Sequence, residues 1–357
     1  MDIYEITIIL IKQSIILIER KLFMNNFIID INNSIQQKSI NKFSFPFNGG
    51  IDSNVQEWIN TMKPYAPFIH DIYFTIPGIK SFFGNWECKD YDNKCVELCE
   101  LLEKSDWHPK LCAVFNGVHL IGLTPKKELV NKAILFLKKY NIYQCVVNDL
   151  DIARLLHEAM PNLILNTSCT VPQYNIPLLK LWKDVCGINI INPNRPMCRN
   201  IPYLKELKKN GFQIKLIING FCSLFCPELI CSTAIAPNDS ICVNYLNNTT
   251  PLQSCMILPR WLNILDEYVD VYKIIGRVLP LPRILNQFQH YILRNDNCYF
   301  DEFHSGCQVP IKCSEIPDDL LYCGYSNCNE CGKCTNLMKK FAQRYIDSLP
   351  KVMYTPI

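Results

Sequence analysis

Cysteine is the residue whose number and spacing most strongly indicate chemistry in this sequence. Twenty of the 357 residues are cysteine, and a chain of this length can build a core without disulfides. Ten of them are scattered singly or in loose pairs, and a free buried cysteine behaves as a small hydrophobe. We expect this of Cys112, Cys145 and Cys186. Cys169 and Cys198 follow two predicted strands and could face a binding site, but a non-functional thiol is the favoured interpretation of each.

A first cluster of cysteines follows the pair Asn219-Gly220. It contains Cys222, Cys226, Cys231, Cys242 and Cys255. Four thiolates can hold zinc or an iron–sulfur cluster. The spacing is not that of a zinc ribbon, and it lacks the C-x₃-C-x₂-C signature of radical enzymes that use S-adenosylmethionine. We therefore predict a metal site here, with Cys242 as the rival ligand.

A second cluster lies near the end of the chain, where four cysteines fall within 12 residues. Its members are Cys323, Cys328, Cys331 and Cys334. The final C-x₂-C-x₂-C is close to the bacterial ferredoxin run, which favours an iron–sulfur cluster. Zinc remains the alternative, because four-cysteine zinc sites are common.

The elements that must position these thiols alternate between two types. Eight short apolar runs are predicted to be strands: Phe43–Phe47, Asp71–Ile76, Leu111–Phe115, Gln144–Asn148, Leu163–Asn166, Ile188–Asn192, Gln213–Asn219 and Val269–Ile275. Amphipathic helical stretches lie between them, the clearest being Lys126–Tyr140. Eight such units over about 250 residues predict a (β/α)₈ barrel of the TIM type. An open doubly wound sheet is disfavoured because no glycine-rich phosphate loop is present.

Barrel enzymes carry their chemistry at the carboxyl ends of the strands. Polar residues recur at these predicted positions, and the candidates for substrate binding are Asn48, Asn148 and Asp149. Arg195, Asn219 and Arg277 are the candidates for catalysis. An arginine fork can bind a carboxylate or phosphate. For each position alone, strand punctuation by asparagine or a structural arginine is the competing interpretation.

Composition indicates a large core and a cytoplasmic protein. Hydrophobic residues make up 49% of the chain, charged residues 19%, and the net charge is +3. This balance disfavours a large nucleic-acid footprint.

The apolar start of the chain is interrupted by Glu5 and Lys12, so we predict neither a membrane span nor a signal peptide. Met1 and Met24 are both candidate starts. The expected organisation is an extension (1–42), a barrel (43–294) and a cysteine-rich tail (295–357).

Several of these segments together resemble the collagenase-like peptidase family, peptidase family U, number thirty-two. The resemblance rests on the region 193–219, on the cysteine loop after Asn219-Gly220, and on Val269-Asp-Val-Tyr-Lys-Ile-Ile-Gly-Arg277. The family has His-Gly where this chain has Asn219-Gly220, and Glu where it has Ile275. The resemblance covers roughly Phe43 to Arg294, and the tail cluster is not part of it.

The resemblance implies a barrel with a four-cysteine 4Fe–4S cluster. Some members are named as peptidases, and others take part in oxygen-independent hydroxylation of ubiquinone precursors or of tRNA and ribosomal RNA bases, some of them thought to use prephenate. By this resemblance, the chain is an iron–sulfur enzyme that modifies an RNA base or a small aromatic compound. A paralogous subunit, an electron donor, tRNA or rRNA are the implied partners.

Two other functions remain open at this point. One is a peptidase, although no nucleophile and base pair is evident: His157-Glu158 lacks the second histidine of H-E-x-x-H. The other is a non-catalytic iron–sulfur electron carrier or scaffold that uses both clusters.

Overall fold

Eight parallel strands close into one barrel in the computed structural model. The structure describes residues 37–49, 54–79, 90–117, 125–171, 173, 175–220, 222–224, 251–277, 279–303, 307, 309–323 and 328–348. The strands are β1 (Phe43–Pro46), β2 (Ile69–Thr75), β3 (Leu111–Phe115), β4 (Gln144–Val147), β5 (Ile164–Thr167), β6 (Ile190–Ile191), β7 (Gln213–Ile217) and β8 (Val271–Lys273). Each strand pairs with its neighbour in sequence, and β8 closes the ring against β1. The predicted (β/α)₈ barrel is confirmed.

Helices cover the outside of the barrel. They are α1 (Val55–Met62), α2 (Tyr91–Lys104), α3 (Lys126–Lys139), α4 (Leu150–Ala159), α5 (Ile176–Cys186), α6 (Ile201–Lys209), α7 (Leu262–Leu265), α8 (Leu281–Leu293), α9 (Phe300–Phe303), α10 (Cys328–Cys331) and α11 (Lys333–Ser348). Side chains of Asn54, Asp149, Asn175 and Asn200 cap four of them at the amino end, which satisfies backbone donors that have no partner within the helix.

Strand residues alternate between the barrel wall and its interior. Phe43 and Phe45 point outward and pack on Phe288 of α8, with ring centroids 5.3 and 5.0 Å apart. Ser44, between them, points inward and donates a hydrogen bond to Asp71 of β2. Because both faces are covered, the strands read as continuous apolar runs, which is why they could be predicted.

The barrel and the segment after it belong to one compact unit, Asn41–Ile357. The guanidinium of Arg260, just before α7, binds Asp296, Asp318 and the carbonyl of Cys313. The indole of Trp261 also donates to Asp318, at 2.7 Å. The tail is therefore attached to the barrel where the chain enters α7. Among the described residues, no helix is long and apolar enough to cross a membrane.

Candidate functional site

Three cysteines meet beside the carboxyl ends of β6 and β7, and we call Cys198, Cys222 and Cys255 the barrel thiol site. Cys222 and Cys255 are held together by backbone pairing, because the amide of Cys255 donates to the carbonyl of Cys222 at 2.8 Å. An antiparallel bridge between Ser223 and Ser254 continues this pairing. The predicted proximity of Cys222 and Cys255 is therefore a property of the fold.

The thiols of this site hydrogen-bond to one another. A bond with Cys255, together with burial, raises the pKa of Cys222 well above its usual value, while Arg195 acts in the opposite direction. A bond with Cys198 is the main influence that raises the pKa of Cys255. Both thiols are consequently protonated at neutral pH in this structure. Binding of a metal would release these protons, since the thiolate is the ligand.

Arg195 lies beside this group of thiols. It belongs to a short 3₁₀ turn after β6 (Arg195–Met197), is 9% exposed, and its Nη1 lies 3.9 Å from the sulfur of Cys222. A guanidinium at this distance favours a thiolate and can also bind an anion in the barrel mouth. The structure thus brings one predicted catalytic residue to two predicted ligands.

Because Gly220 has no side chain, the Cys255 sulfur can pack directly against its backbone. The thiol of Cys255 donates to the carbonyl of Gly220 at 3.3 Å, and a Cβ built on Gly220 would lie 2.7 Å from that sulfur. This is closer than a real Cβ contact can be, so a glycine is required here by the close approach of the thiol.

The side chains of the barrel thiol site are thiols without competing carboxylates, and thiols are the type of ligand that soft metals prefer. The other predicted ligands, Cys226, Cys231 and Cys242, lie outside the described residues. Within the part of the chain that the structure describes, no three His, Cys, Asp or Glu side chains are arranged to hold a metal ion.

We call Cys323, Cys328, Cys331 and Cys334 the tail thiol site. Cys328 and Cys331 begin and end α10, and Gly332, at φ +57°, turns the chain into α11, which carries Cys334. Burial and the neighbouring thiols raise the pKa of Cys328 and of Cys334. All four cysteines are at least partly exposed. Cys313 instead lies buried beside Cys298, where the Cys313 amide donates to the Cys298 carbonyl.

Arg199 joins the two thiol sites and was not found from the sequence. It directly follows Cys198, is 4% exposed, and donates to the carbonyls of Leu252 and Ser254 at 3.3 and 2.9 Å. It also donates to the carbonyl of Leu320 in the tail, and its charge partly offsets the rise in the pKa of Cys334 that burial causes. A single arginine in an irregular loop carries no spacing signal, so only the fold reveals this role.

The predicted polar residues are placed at the carboxyl ends of the strands, where they also tie loops together. The amide of Asn219 donates to the Ile275 carbonyl and to Gln287, and it accepts from the Ile275 amide. Asn48 donates to the carbonyl of Leu279. These bonds position the ends of β7, β8 and β1 relative to each other.

The side chain of Asp149 has hydrogen-bond and ion-pair partners, whereas the side chain of Asn148 has an oxygen without one among the described residues. Asp149 caps α4 through the amide of Ile152 and pairs with Lys126 at 2.8 Å. Asn148 donates to the carbonyl of Asn116 at 2.7 Å. Its side-chain oxygen is buried without a partner among the described residues, as are those of three amides after β5 and β6: Gln173, Asn192 and Asn194. Buried acceptors of this kind are usually satisfied, and a bound molecule with hydrogen-bond donors would satisfy them here.

Charged residues fill the interior of the barrel below its mouth. Lys215 of β7 pairs with Asp71 of β2 at 2.6 Å, and since β7 and β2 are not neighbours, this ion pair crosses the interior. Lys273, the last residue of β8, lies over the ring of Tyr73 of β2, 4.3 Å from its centroid. Arg277 lies over the same ring at 5.7 Å. The predicted residue Arg277 is thus next to a lysine that sequence analysis did not single out.

Two histidines lie beside carboxylates that can pair with them. His70, at the amino end of β2, binds Asp71 at 2.8 Å, and the buried His290 lies 3.6 Å from Glu302. His70 also lines a cavity of about 950 Å³ where β2 to β7 begin. This is the end of a barrel opposite to the one at which catalysis occurs.

No family model matches the chain, and no curated protein matches its sequence. Similar solved structures include a U32 peptidase at 12% identity, with 66% of this chain and 93% of that chain covered and a TM-score of 0.41. A conserved protein of unknown function from Enterococcus faecalis is 13% identical, covers 72% and 67%, and has a TM-score of 0.41. A proposed dihydrodipicolinate synthetase from Pseudomonas aeruginosa is 9% identical, covers 70% and 74%, and has a TM-score of 0.40.

Proposed function

We propose that this barrel is an iron–sulfur enzyme that modifies an RNA base or a small aromatic compound without molecular oxygen, by hydroxylation. The single observation that carries this proposal is the pairing of Cys222 with Cys255 beside Cys198, at the end of the barrel where catalysis occurs. Cys222, Cys226, Cys231 and Cys255 would hold a 4Fe–4S cluster, with Cys242 as the rival ligand. When bound, the cluster supplies one-electron chemistry.

Around the cluster, the residues of this chain would bind and orient the substrate. Arg195 lies 3.9 Å from the Cys222 sulfur and would hold a phosphate or carboxylate of the substrate close to the thiol site. The unpartnered amide oxygens of Asn148 and Asn192 would accept hydrogen bonds from N–H or O–H groups. Asn219 holds the ends of β7 and β8 in place, and so acts as a positioning residue.

The tail thiol site would hold a second centre that exchanges electrons with a partner protein. Hydroxylation that takes its oxygen from water removes two electrons and two protons from the substrate, so the electrons need an acceptor. Arg199 binds both the loop that carries Cys255 and the tail segment, and Gln253 hydrogen-bonds to Cys328. These contacts would keep the two centres close, and the partial exposure of the tail thiols would let a partner approach.

The two alternative functions have less support. Against a peptidase, His70 lies at the amino end of the barrel and His290 is 3% exposed with Glu302 beside it. A non-catalytic electron carrier would not need buried acceptors without partners at the barrel mouth, which Asn192 and Gln173 provide. These features favour an enzyme that binds a polar substrate.

A comparison of cells grown without oxygen tests the proposal. Cells that lack the gene would be complemented with the wild type, with Cys222→Ala/Cys255→Ala, or with Cys145→Ala/Cys186→Ala, which removes two buried thiols elsewhere. Digested RNA and extracted small aromatics would be compared by mass spectrometry. We expect one hydroxylated species to require the wild type or the control variant. The same species in all strains, or in none, would contradict the proposal.

A further inference from the structure

We propose that Lys273 is a carbonyl-capturing amine, which forms a Schiff base with a small 2-oxo acid at the mouth of the barrel. This site goes beyond the function proposed above and needs neither metal centre. The burial of this lysine, the absence of an ion pair between it and any carboxylate of the described residues, and its cationic surroundings support the proposal.

Lys273 is held in a defined position at the carboxyl end of β8. It pairs with Ser44 of β1 in the strand register, and its side chain reaches across the interior to β2, where the ammonium lies 4.3 Å from the Tyr73 ring centroid. The hydroxyl of Tyr73 donates to the carbonyl of Ile274 at 2.8 Å, which fixes the ring. Lys273 is only 9% exposed. This is the end of the barrel at which a bound carbonyl compound would be expected.

The two buried lysines of the interior have different partners. Lys215 forms an ion pair with Asp71 at 2.6 Å, and Asp71 also accepts from Ser44 at 2.5 Å and binds His70 at 2.8 Å. Lys273 forms no ion pair with any carboxylate of the described residues. A buried ammonium without a counter-charge is costly, so such a lysine is rarely kept for stability alone.

The surroundings favour the neutral amine of Lys273. Burial, and then the charge of Lys215, lower its pKa to about 8, with Arg277 acting in the same direction and the thiols Cys169 and Cys112 opposing it. About one molecule in ten then carries the neutral, nucleophilic amine at pH 7, against fewer than one in a thousand for an ordinary lysine. By contrast, the pKa of Lys215 is raised, because Asp71 outweighs the effect of burial. Desolvation among cationic groups is a known way to activate a lysine.

The charges around Lys273 identify the substrate class. Arg277 lies over the same Tyr73 ring, at 5.7 Å, and Lys215 lies deeper in the interior. A small molecule that places its carbonyl at Lys273 would therefore have a cationic environment for a second, anionic group. A carbonyl beside a carboxylate is a 2-oxo acid, for which pyruvate and glyoxylate are the smallest probes.

Formation of the Schiff base between Lys273 and the carbonyl compound needs no further reactant. The neutral Nζ attacks the carbonyl carbon, a C–N bond forms, and the carbonyl oxygen leaves as water with the two amine protons. The product is an imine, which gains one proton from solvent to become the iminium ion. Cyanoborohydride, added as a trap, delivers hydride to the imine carbon and leaves a stable secondary amine.

Reductive trapping on the whole protein tests this assignment. Wild type and Lys273→Arg would each be incubated with pyruvate and sodium cyanoborohydride, and labelled peptides would be mapped by mass spectrometry. The arginine variant retains the charge, and its melting curve would show that it is folded. We expect one dominant adduct, at Lys273, and at least a tenfold loss of labelling in Lys273→Arg. Labelling spread over exposed lysines, with Lys273 unmodified, would overturn the proposal.

Two further arms test the substrate class and the independence from the metal centres. Acetone, which has no carboxylate, should label Lys273 at least tenfold more slowly than pyruvate when both rates are normalised to free N-acetyl-lysine methyl ester. Equal normalised rates would overturn the assignment to 2-oxo acids. Wild-type protein purified with and without its iron should trap pyruvate equally well, so a failure of the iron–sulfur proposal would leave this result intact.

Discussion

The two thiol sites of this protein are assembled in opposite ways. In the barrel thiol site, Cys198, Cys222 and Cys255 come from loops far apart in sequence and meet because β6 and β7 are neighbours in the barrel. In the tail thiol site, local turns bring the four cysteines together, and each is at least partly exposed. Thiols that are gathered by the fold are coupled to its stability, whereas thiols gathered by a local turn need little of the fold.

This difference predicts the largest effect for the barrel thiols. In Cys222→Ala/Cys255→Ala, the loss of metal binding should lower the free energy of unfolding by about 4 kcal/mol. Metal that binds only the native state adds its binding free energy to the stability of the fold. The control Cys145→Ala/Cys186→Ala removes two buried thiols elsewhere in the barrel and should cost about 2 kcal/mol. Chemical denaturation under anaerobic conditions measures both. Equal losses in the two variants would show that the barrel thiols act only as packing groups.

Arg199 is where the two regions meet, so its removal should have the next largest effect. Arg199→Met would leave the carbonyls of Leu252 and Ser254 without their donor and remove one of two donors to the carbonyl of Leu320, and it should cost about 3 kcal/mol. Arg344→Met removes an exposed pair with Glu315 and should cost less than about 1 kcal/mol. Thermal melting of both proteins checks this. Similar small shifts would mean that the tail and the barrel are not coupled through Arg199.

Gly220 tests how closely the barrel thiols are packed. Gly220→Ala would place a Cβ 2.7 Å from the Cys255 sulfur, and displacement of that thiol should cost about 2 kcal/mol and reduce iron content. Gly211→Ala is the control: it meets no atom within 4 Å but has φ +74°, so it should cost about 1 kcal/mol with iron unchanged. Iron per chain separates the two variants. Full iron in Gly220→Ala would contradict a ligand role for Cys255.

The smallest effect on barrel stability is expected for the tail thiols. Cys328→Ala/Cys331→Ala should change the unfolding free energy of the barrel by less than about 1 kcal/mol, since these side chains are partly or fully exposed. The measurement is the melting temperature, with circular dichroism to follow the barrel. A loss as large as that of the barrel pair would remove the distinction between the two sites.

The sequence revealed the barrel because its strands are buried on both faces and its helices have an apolar stripe. It also singled out Cys222 and Cys255, which the structure places side by side. It did not single out Lys273, although this lysine stands in the quoted segment Val269–Arg277, and it could not identify Arg199, which has no spacing pattern. The properties of Lys273 depend on Tyr73 of β2 and on Lys215 of β7, which lie next to it only when the barrel has closed. Cys198, for which the sequence favoured a non-functional thiol, hydrogen-bonds to Cys255.

The most direct test of the central claim is the iron and sulfide content of anaerobically purified protein, measured with zinc, for the wild type and Cys222→Ala/Cys255→Ala. We expect iron and sulfide in equal amounts in the wild type, and loss of about half of both in the variant, because the tail site retains its own cluster. An iron content that is unchanged in the variant, or zinc in place of iron in the wild type, would contradict an iron–sulfur cluster in the barrel.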